Sequence, residues 1–544
     1  MIKTLPLICA LTFVFQTTVS QNPLVKNWDY RYGGMHDDDL SVLVQTADGG
    51  YLLGGRSLSD IGGDKTQPSW GDFDYWVVKT DAMGILQWEK RFGGFNDDYL
   101  HSVQQTSDGG YILGGFSVSG ISGDKTEPSW NSFDFWIVKI DALGIKQWDK
   151  RYGGTEYDPL FSIKQTTDGG YILGGYSYSN ISGDKTQPNW DSTLLSPDYW
   201  IVKINSSGNK EWDKTFGGDE WDALYAVEQT TDGGYILGGY SLSGISGDKS
   251  EPSWGGYDHW LVKTDAMGNK QWDRRYGGIH NDYLNSLHQT FDGGFVFGGK
   301  SLSDSSGDKT EHSWGGYDYW IVRTDAAGNK LWNKRYGGTD NEDDFGNLDL
   351  DYDGGVIIAG TSYSNIGGDK TEDNLGSEQM WVVKTDSLGV KKWDKTIFTM
   401  GHDETGFAIK ALDGCYLAAN YTNAGIGGYK TQLPWNNTLD YWVVKFCDST
   451  FVGINKFNEE DKQVTIFPNP ATDFITLSFT IPAQKAFSIQ LFNLYGQIVK
   501  TQHFAFLPPG KQQIQINLKD LQQGIYFVKI NSDREDETKK IVKL

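Results

Sequence analysis

The phrase WDKRYGG, residues 148–154, decides the architecture, because it returns with substitutions at Trp28, Trp88, Trp148, Trp212, Trp272, Trp332 and Trp393. The spacings are 60, 60, 64, 60, 60 and 61 residues. Each unit holds four β-like runs, which in the second are LHSVQQT (100–106), GGYILGGFS (109–117), FDFWIVKI (133–140) and IKQWDKRY (145–152). Four short strands per repeat is the pattern of a propeller blade. The third-strand phrase also occurs seven times, with Trp at 76, 136, 200, 260, 320, 381 and 442, so the fold class is all-β, a seven-bladed β-propeller over residues 21–447.

The turns set which face carries the loops. TSDGGY (106–111) and DALGIK (141–146) place Asp and Gly where tight hairpins need them. The second connection (SGISGDKTEPSWNS, 119–132) and the link FGGFNDD (92–98) into the next blade are long. Because consecutive strands alternate in direction, these long connections share one face of the disc, where propeller ligands are expected. The first Trp phrase precedes every other strand and the last third strand has no Trp phrase after it. Residues 28–32 are therefore expected to complete the last blade, a closure that leaves no long unpaired edge.

Composition agrees with a β-fold. Aromatic residues make up 14% of the 544, with 21 Trp and 68 Gly, which builds a core from rings and turns from glycine. The net charge of −23 argues against nucleic acid as a partner. Lys3 followed by an apolar run from Leu5 to Phe15, with Ser20 before Gln21, reads as a signal peptide over residues 1–20. No later segment is long and apolar enough to be a transmembrane segment.

The repeat stops at Cys447, and the acidic stretch 448–463 reads as a linker. Residues 464–544 have their own character, with nine Lys or Arg against six Asp or Glu and strand-like runs that suggest a small β-sandwich. Phe474, Phe479, Phe492, Tyr495 and Tyr526 fall at strand positions that suit burial.

Two resemblances follow from these phrases. The repeats, through TDGGYILGG (167–175), resemble the Asp-Gly-rich propeller repeats of bacterial surface proteins, which conveys no activity. Residues 464–544 resemble the type A sorting domain of type IX secretion cargo. Pro468, Asn469 and Pro470 match its opening motif, Tyr495 and Gly496 begin its YGQIV phrase, Gly524 and Tyr526 lie in its GIYFVKI phrase, and Lys539 and Lys540 open its basic terminus. The resemblance implies passage through the outer membrane by the type IX machinery, removal of the domain by a sortase-like peptidase, and release or attachment to lipopolysaccharide. The protein is then secreted, at the outer-membrane surface or in the medium.

Candidate chemistry sits at positions that recur. Ten residues after each repeat Trp stands an acid: Asp38, Asp98, Asp158, Asp222, Asp282, Glu342 and Asp403. These acids either form a ring at the channel mouth that holds a cation such as calcium, or accept backbone N–H bonds in their own crossing loops. The SGDK Asp residues, Asp64 among them, read as loop closures. The loop tryptophans Trp70, Trp130, Trp190, Trp254, Trp314 and Trp435 either stack on a ligand or fold down over the blade. Cys415 and Cys447 are expected to form a disulfide, since antiparallel pairing brings the second and third strands of one blade together. HExxH, GxSxG and a Cys-His pattern are missing, and paired carboxylates such as Asp97 and Asp98 recur in several blades, so the chain reads as a non-enzyme. The leading function is binding of a glycan or protein ligand; a polysaccharide hydrolase or lyase and a structural surface component are the alternatives.

Overall fold

The computed structural model describes residues 24–448 except 192, 194 and 343, and 465–543 except 470, 482–484, 494–497, 508–509, 520, 522 and 533–534. The leader at 1–20 and residues 449–463 of the linker lie outside these. The chain forms two units, Met1–Val452 and Gly453–Leu544.

The first unit is a ring of seven four-stranded antiparallel sheets. Blade two, for example, runs Asp98–Gln105, Tyr111–Ser117, Asp134–Ile140 and Lys146–Tyr152, each strand paired with the next. The first strands of successive blades touch in turn, and those of blades seven and one close the circle. Every third strand is buried along its length, and its Trp (76, 136, 200, 260, 320, 381 or 442) is fully buried. Its indole N–H still needs an acceptor, and the fourth strand supplies one: Trp136 Nε1 donates to Asp149 at 3.2 Å. This bond accounts for the acid or amide after each repeat Trp.

The diglycine of YILGGFS has a separate cause. In the first strand, Leu100 faces Gly115 and Ser102 faces Gly114, leaving His101 as an extra residue, a β-bulge. A Cβ on Gly115 would lie 1.9 Å from the Tyr99 carbonyl, and one on Gly114 would lie 2.9 Å from Leu160 and Ile163 of the next blade. The second glycine is therefore required by the close backbone wherever the bulge is one residue, whereas the first meets only side chains in this blade and is alanine in blades six and seven (Ala359 and Ala419).

The ring closes through strand Leu24–Tyr32, which pairs antiparallel with Asp440–Asp448 and supplies the fourth strand of blade seven. Asp29 takes the acceptor role of Asp149, receiving Trp442 Nε1 at 3.1 Å and Thr431 N at 2.8 Å. The same blade holds a disulfide between Cys415 and Cys447, which ties the chain entering its second strand to the end of its third.

At six blade junctions two buried carboxyl groups meet: Asp440 with Asp38, Asp74 with Asp98, Asp134 with Asp158, Asp198 with Asp222, Asp258 with Asp282, and Asp318 with Glu342. At the seventh, Gln379 replaces one acid and its amide donates to Asp403 at 3.1 Å. A buried lysine stands between the carboxyls of each blade, as Lys125 does between Asp98 and Asp134. Six pairs and Asp403 make thirteen carboxyls against seven such lysines (65, 125, 185, 249, 309, 370 and 430). Burial first, and then the facing carboxylate, pushes Asp74 up to about 7 and Asp134 up to about 8. The Gln379 junction shows the arrangement that a protonated acid would mimic.

The second unit is all-β as well, with one sheet of three strands and one of four. Its core includes Ile475, Leu477, Leu491, Tyr526, Val528 and Ile541. Tyr526 is buried as expected, whereas Phe474 is 43% exposed and Phe492 only partly buried. Tyr495 and Pro470, with Gly496, lie outside the described residues, as does the Phe479 side chain.

Candidate functional site

The recurring residues are occupied by the fold. Asp98 is wholly buried and receives Gly94 N at 2.7 Å and Ser119 Oγ at 3.1 Å within its own crossing. Asp38, Asp158, Asp222 and Asp282 each accept the equivalent glycine N–H, as Glu342 does at 3.0 Å. Asp403 instead takes the Thr399 hydroxyl at 2.9 Å. Of the two arrangements expected for these acids, the bonds are those of the second: all seven side chains are fully buried at the blade junctions, and all but Asp403 accept a backbone N–H in their own crossing loops. Among the described residues, no group of three His, Cys, Asp or Glu is placed to hold a metal ion.

The loop tryptophans tie one blade to the next. Trp70 donates its backbone N–H to Asp74 at 2.7 Å and its indole N–H to Asp124 of the following blade at 3.3 Å. The Arg91 guanidinium lies 5.0 Å over its ring. Trp130, Trp254, Trp314 and Trp435 lie under Arg151, Arg275, Arg335 and Arg31, and Trp190 bonds Asp248 at 2.8 Å. About half of each ring stays exposed in the first five copies. An arginine takes one face of the ring in every copy but Trp190, where Thr215 stands at the arginine's position.

A different set of residues lines the channel mouth on the long-loop face. The bulge residue of each first strand points there: Ser41, His101, Phe161, Tyr225, Asn285, Gly346 and Thr405, from all seven blades, line one cavity of about 340 Å³. Bulges re-aim side chains, and here they aim them inward at one level. Around them an unbroken chain of rings runs from blade two to blade five. Tyr99 lies 5.3 Å from Phe116, Phe116 5.0 Å from His101, and His101 5.0 Å from Phe161. Phe161 is 4.5 Å from Tyr225, Tyr225 5.2 Å from Tyr240, and Tyr240 4.9 Å from Tyr283. Trp221 stands beside Tyr178 at 5.7 Å.

The opposite side of the mouth is polar. Arg56 and Asp39 pair at 2.8 Å, and His402 Nε2 meets Glu404 at 2.6 Å. Burial raises the Asp39 carboxyl, Arg56 lowers it, and Asp37 and Glu404 raise it again. None of these residues follows the repeat. The position of Tyr225 is Ser, His, Phe, Asn, Gly or Thr elsewhere, while the framework around it is nearly constant. Departure from the repeat is the signal that repetition-based reading passed over.

In the second unit, Asn469 clamps the terminal strand. Its amide donates to the Lys540 carbonyl at 2.9 Å and accepts from Val542 N at 2.8 Å, while Ala471 N donates to Val542 O at 2.8 Å. The PNP phrase and the basic terminus are therefore one device, with Pro468, Lys539 and Lys540 exposed beside it. Residues 465–544 match the family of secretion system C-terminal sorting domains. A protein with this type IX domain is exported to the outer-membrane surface or the extracellular space, and among the described residues no helix is long and apolar enough to cross a membrane. Replacing Asn469 by Ala removes both side-chain bonds, at about 1 kcal/mol each. Faster hydrogen exchange at the Val542 amide is the expected result; unchanged protection would show that the clamp does not hold the strand.

The chain has more distant likenesses. The regulatory protein FlaEY of Caulobacter vibrioides is 28% identical over 165 residues, 28% of this chain and 17% of that protein. Among solved structures, the Pan2 WD40 domain of Neurospora crassa has 8% identity, covering 76% of this chain and 95% of its own, with a TM-score of 0.42. PorZ of Porphyromonas gingivalis, a surface component of the type IX secretion system, has 11% identity over 94% of this chain and 60% of its own, with a TM-score of 0.33. A family 43 arabinoxylan arabinofuranohydrolase from Bacillus subtilis has 10% identity over 94% and 95%, with a TM-score of 0.28.

Proposed function

We propose that the exported propeller is a non-catalytic binding module that takes a glycan or protein ligand at the ring-lined channel mouth. The observation that carries this is the unbroken aromatic chain around an open axial cavity, on the face where the long loops gather. Aromatic faces stack on sugar rings and on apolar side chains, and their phenols and indoles add hydrogen bonds. The mouth's charged groups support binding over catalysis, since Asp39 is tied to Arg56 and Glu404 to His402. The sorting domain is the address: it engages the type IX machinery and is cut away by a sortase-like peptidase, with release or lipopolysaccharide attachment following.

A glycan and peptide array read with the whole protein and with Tyr225→Ala and Trp221→Ala tests this. Ligand signal should fall at least about tenfold in both variants, since a stacked aromatic contributes on the order of 1–3 kcal/mol, while Trp254→Ala keeps it. Loss in the Trp254 variant alone would move the site to the loop tryptophans. Product formation on a polysaccharide would replace binding with catalysis.

A further inference from the structure

The channel mouth is chemically lopsided. The chain of rings runs through blades two to five, while the acidic groups gather on the side of blades six, seven and one, where Asp39 lines the cavity and Glu404 and Asp344 act on the residues that line it. Asp39, Glu404 and Asp344 all act on Tyr421, whose phenol is pushed up to about 12 first by burial and then by these charges. Tyr421 and Asp39 line the same cavity as Phe161 and Tyr225, so rings and carboxylates face one space. Asp39 is only 8% exposed; one oxygen takes Arg56, and the other is buried with no donor among the described residues. A buried carboxylate oxygen without a donor is costly unless something supplies one.

The protein's own cations show what these rings accept. Arg56 lies 4.5 Å over Phe73 and 4.7 Å over Tyr99 at one end of the arc, and Lys300 lies 5.1 Å over Tyr317 at the other. Between these ends Phe161, Tyr225 and Tyr240 face each other with no cation over them among the described residues. Ring faces attract cations, and facing carboxylates strengthen that field.

We propose that the mouth binds an oligosaccharide carrying free amino groups, with a protonated amine held between the Phe161 and Tyr225 rings and the Asp39 and Glu404 carboxylates. The proposal rests on reading the mouth as the binding site. A sugar fits the ring-lined half, because it offers an apolar face for stacking and hydroxyls for the tyrosine phenols. An anionic sugar would meet carboxylates, and a neutral one would bring no positive charge to face them.

Titration of the full chain with glucosamine hexamer and with N-acetylglucosamine hexamer, the same backbone without charge, separates the cases. The free amine form should bind at least about tenfold more tightly, and Glu404→Gln should erase most of that preference without lowering the melting temperature. Asp39→Asn, in which the Arg56 pair is also weakened, should act in the same direction. Equal affinity for both hexamers, abolished by Tyr225→Ala, would overturn the charge assignment and leave the binding site standing. Hexamer binding untouched by Tyr225→Ala would overturn both. Binding of hexalysine with neither sugar bound would overturn the sugar assignment, as would binding of none of the three.

Discussion

Deleting residues 24–32 is expected to open the propeller and abolish its cooperative unfolding. The strand contributes a full ladder to Asp440–Asp448, and its loss turns that buried third strand into an exposed edge. It also strips Trp442 Nε1 and Thr431 N of their shared acceptor, Asp29. Hydrogen exchange should show blade seven losing protection far more than blade two, and a synthetic 24–32 peptide should restore it. Equal protection in both blades would mean that the ring closes some other way. A milder version uses the protein's own variation: in blade five the acceptor is Asn333, which takes Trp320 Nε1 at 3.1 Å. Asp29→Asn should therefore be nearly neutral, while Asp29→Ala, which leaves a buried indole N–H unpaired, should cost about 1–3 kcal/mol.

Stability should fall as pH rises from about 5 to 8. The junction carboxyls are pushed up by burial and by their partners, with Asp98 and Asp222 at about 6, Asp38 and Glu342 at about 7, and Asp134, Asp198 and Asp440 at about 8. In the unfolded chain the same groups titrate near 4. Their contribution is thus fully present below about pH 4 and is lost as pH climbs through the folded values. Each proton held only by the folded state is worth about 1.4 kcal/mol per pH unit across that window. Asp108, Asp168 and Asp232 are held down at about 2 by lysines and threonines, so their opposing contribution changes only in more acidic solution. Chemical denaturation at pH 5, 6.5 and 8 checks the slope. Asp74→Gln, which copies the Gln379 junction, should reduce it by about one proton and raise stability at pH 8. A midpoint that climbs steadily from pH 5 to 8 would show that the pairs are not protonated.

The blade count, the placement of the loops on one face and the closing strand were legible because each rests on counting: seven Trp phrases, seven third strands, and one phrase displaced to the front. The disulfide was legible because two cysteines replace repeat positions in neighbouring strands. The mouth was not. Phe161 and Tyr225 belong to a strand whose pattern reads as a plain pleat, and only the bulge at that residue turns them inward. A search for function among positions that repeat selects framework, as Asp98 and Trp70 show, because a fold built seven times must solve the same packing problem seven times. The residues free to differ, Ser41 to Thr405, are the ones that packing does not dictate.

The closing strand also sets the order in which the ring is made. Leu24 and Asp448, first and last of the described propeller residues, are partners, so the pairing spans nearly the whole propeller. Bringing such distant points together from a disordered chain would cost about 5 kcal/mol in loop-closure entropy. Stacking blades one to six in sequence replaces that single long closure with local steps, since each neighbour contact is local and the later blades curve the ends back together. The N-terminal segment, made first, is then the last to dock. It waits on an acceptor sheet whose second and third strands are already joined by Cys415 and Cys447. A chain interrupted before blade seven would keep its first strand without a partner, and ring closure is in effect a check that the seventh blade has been made.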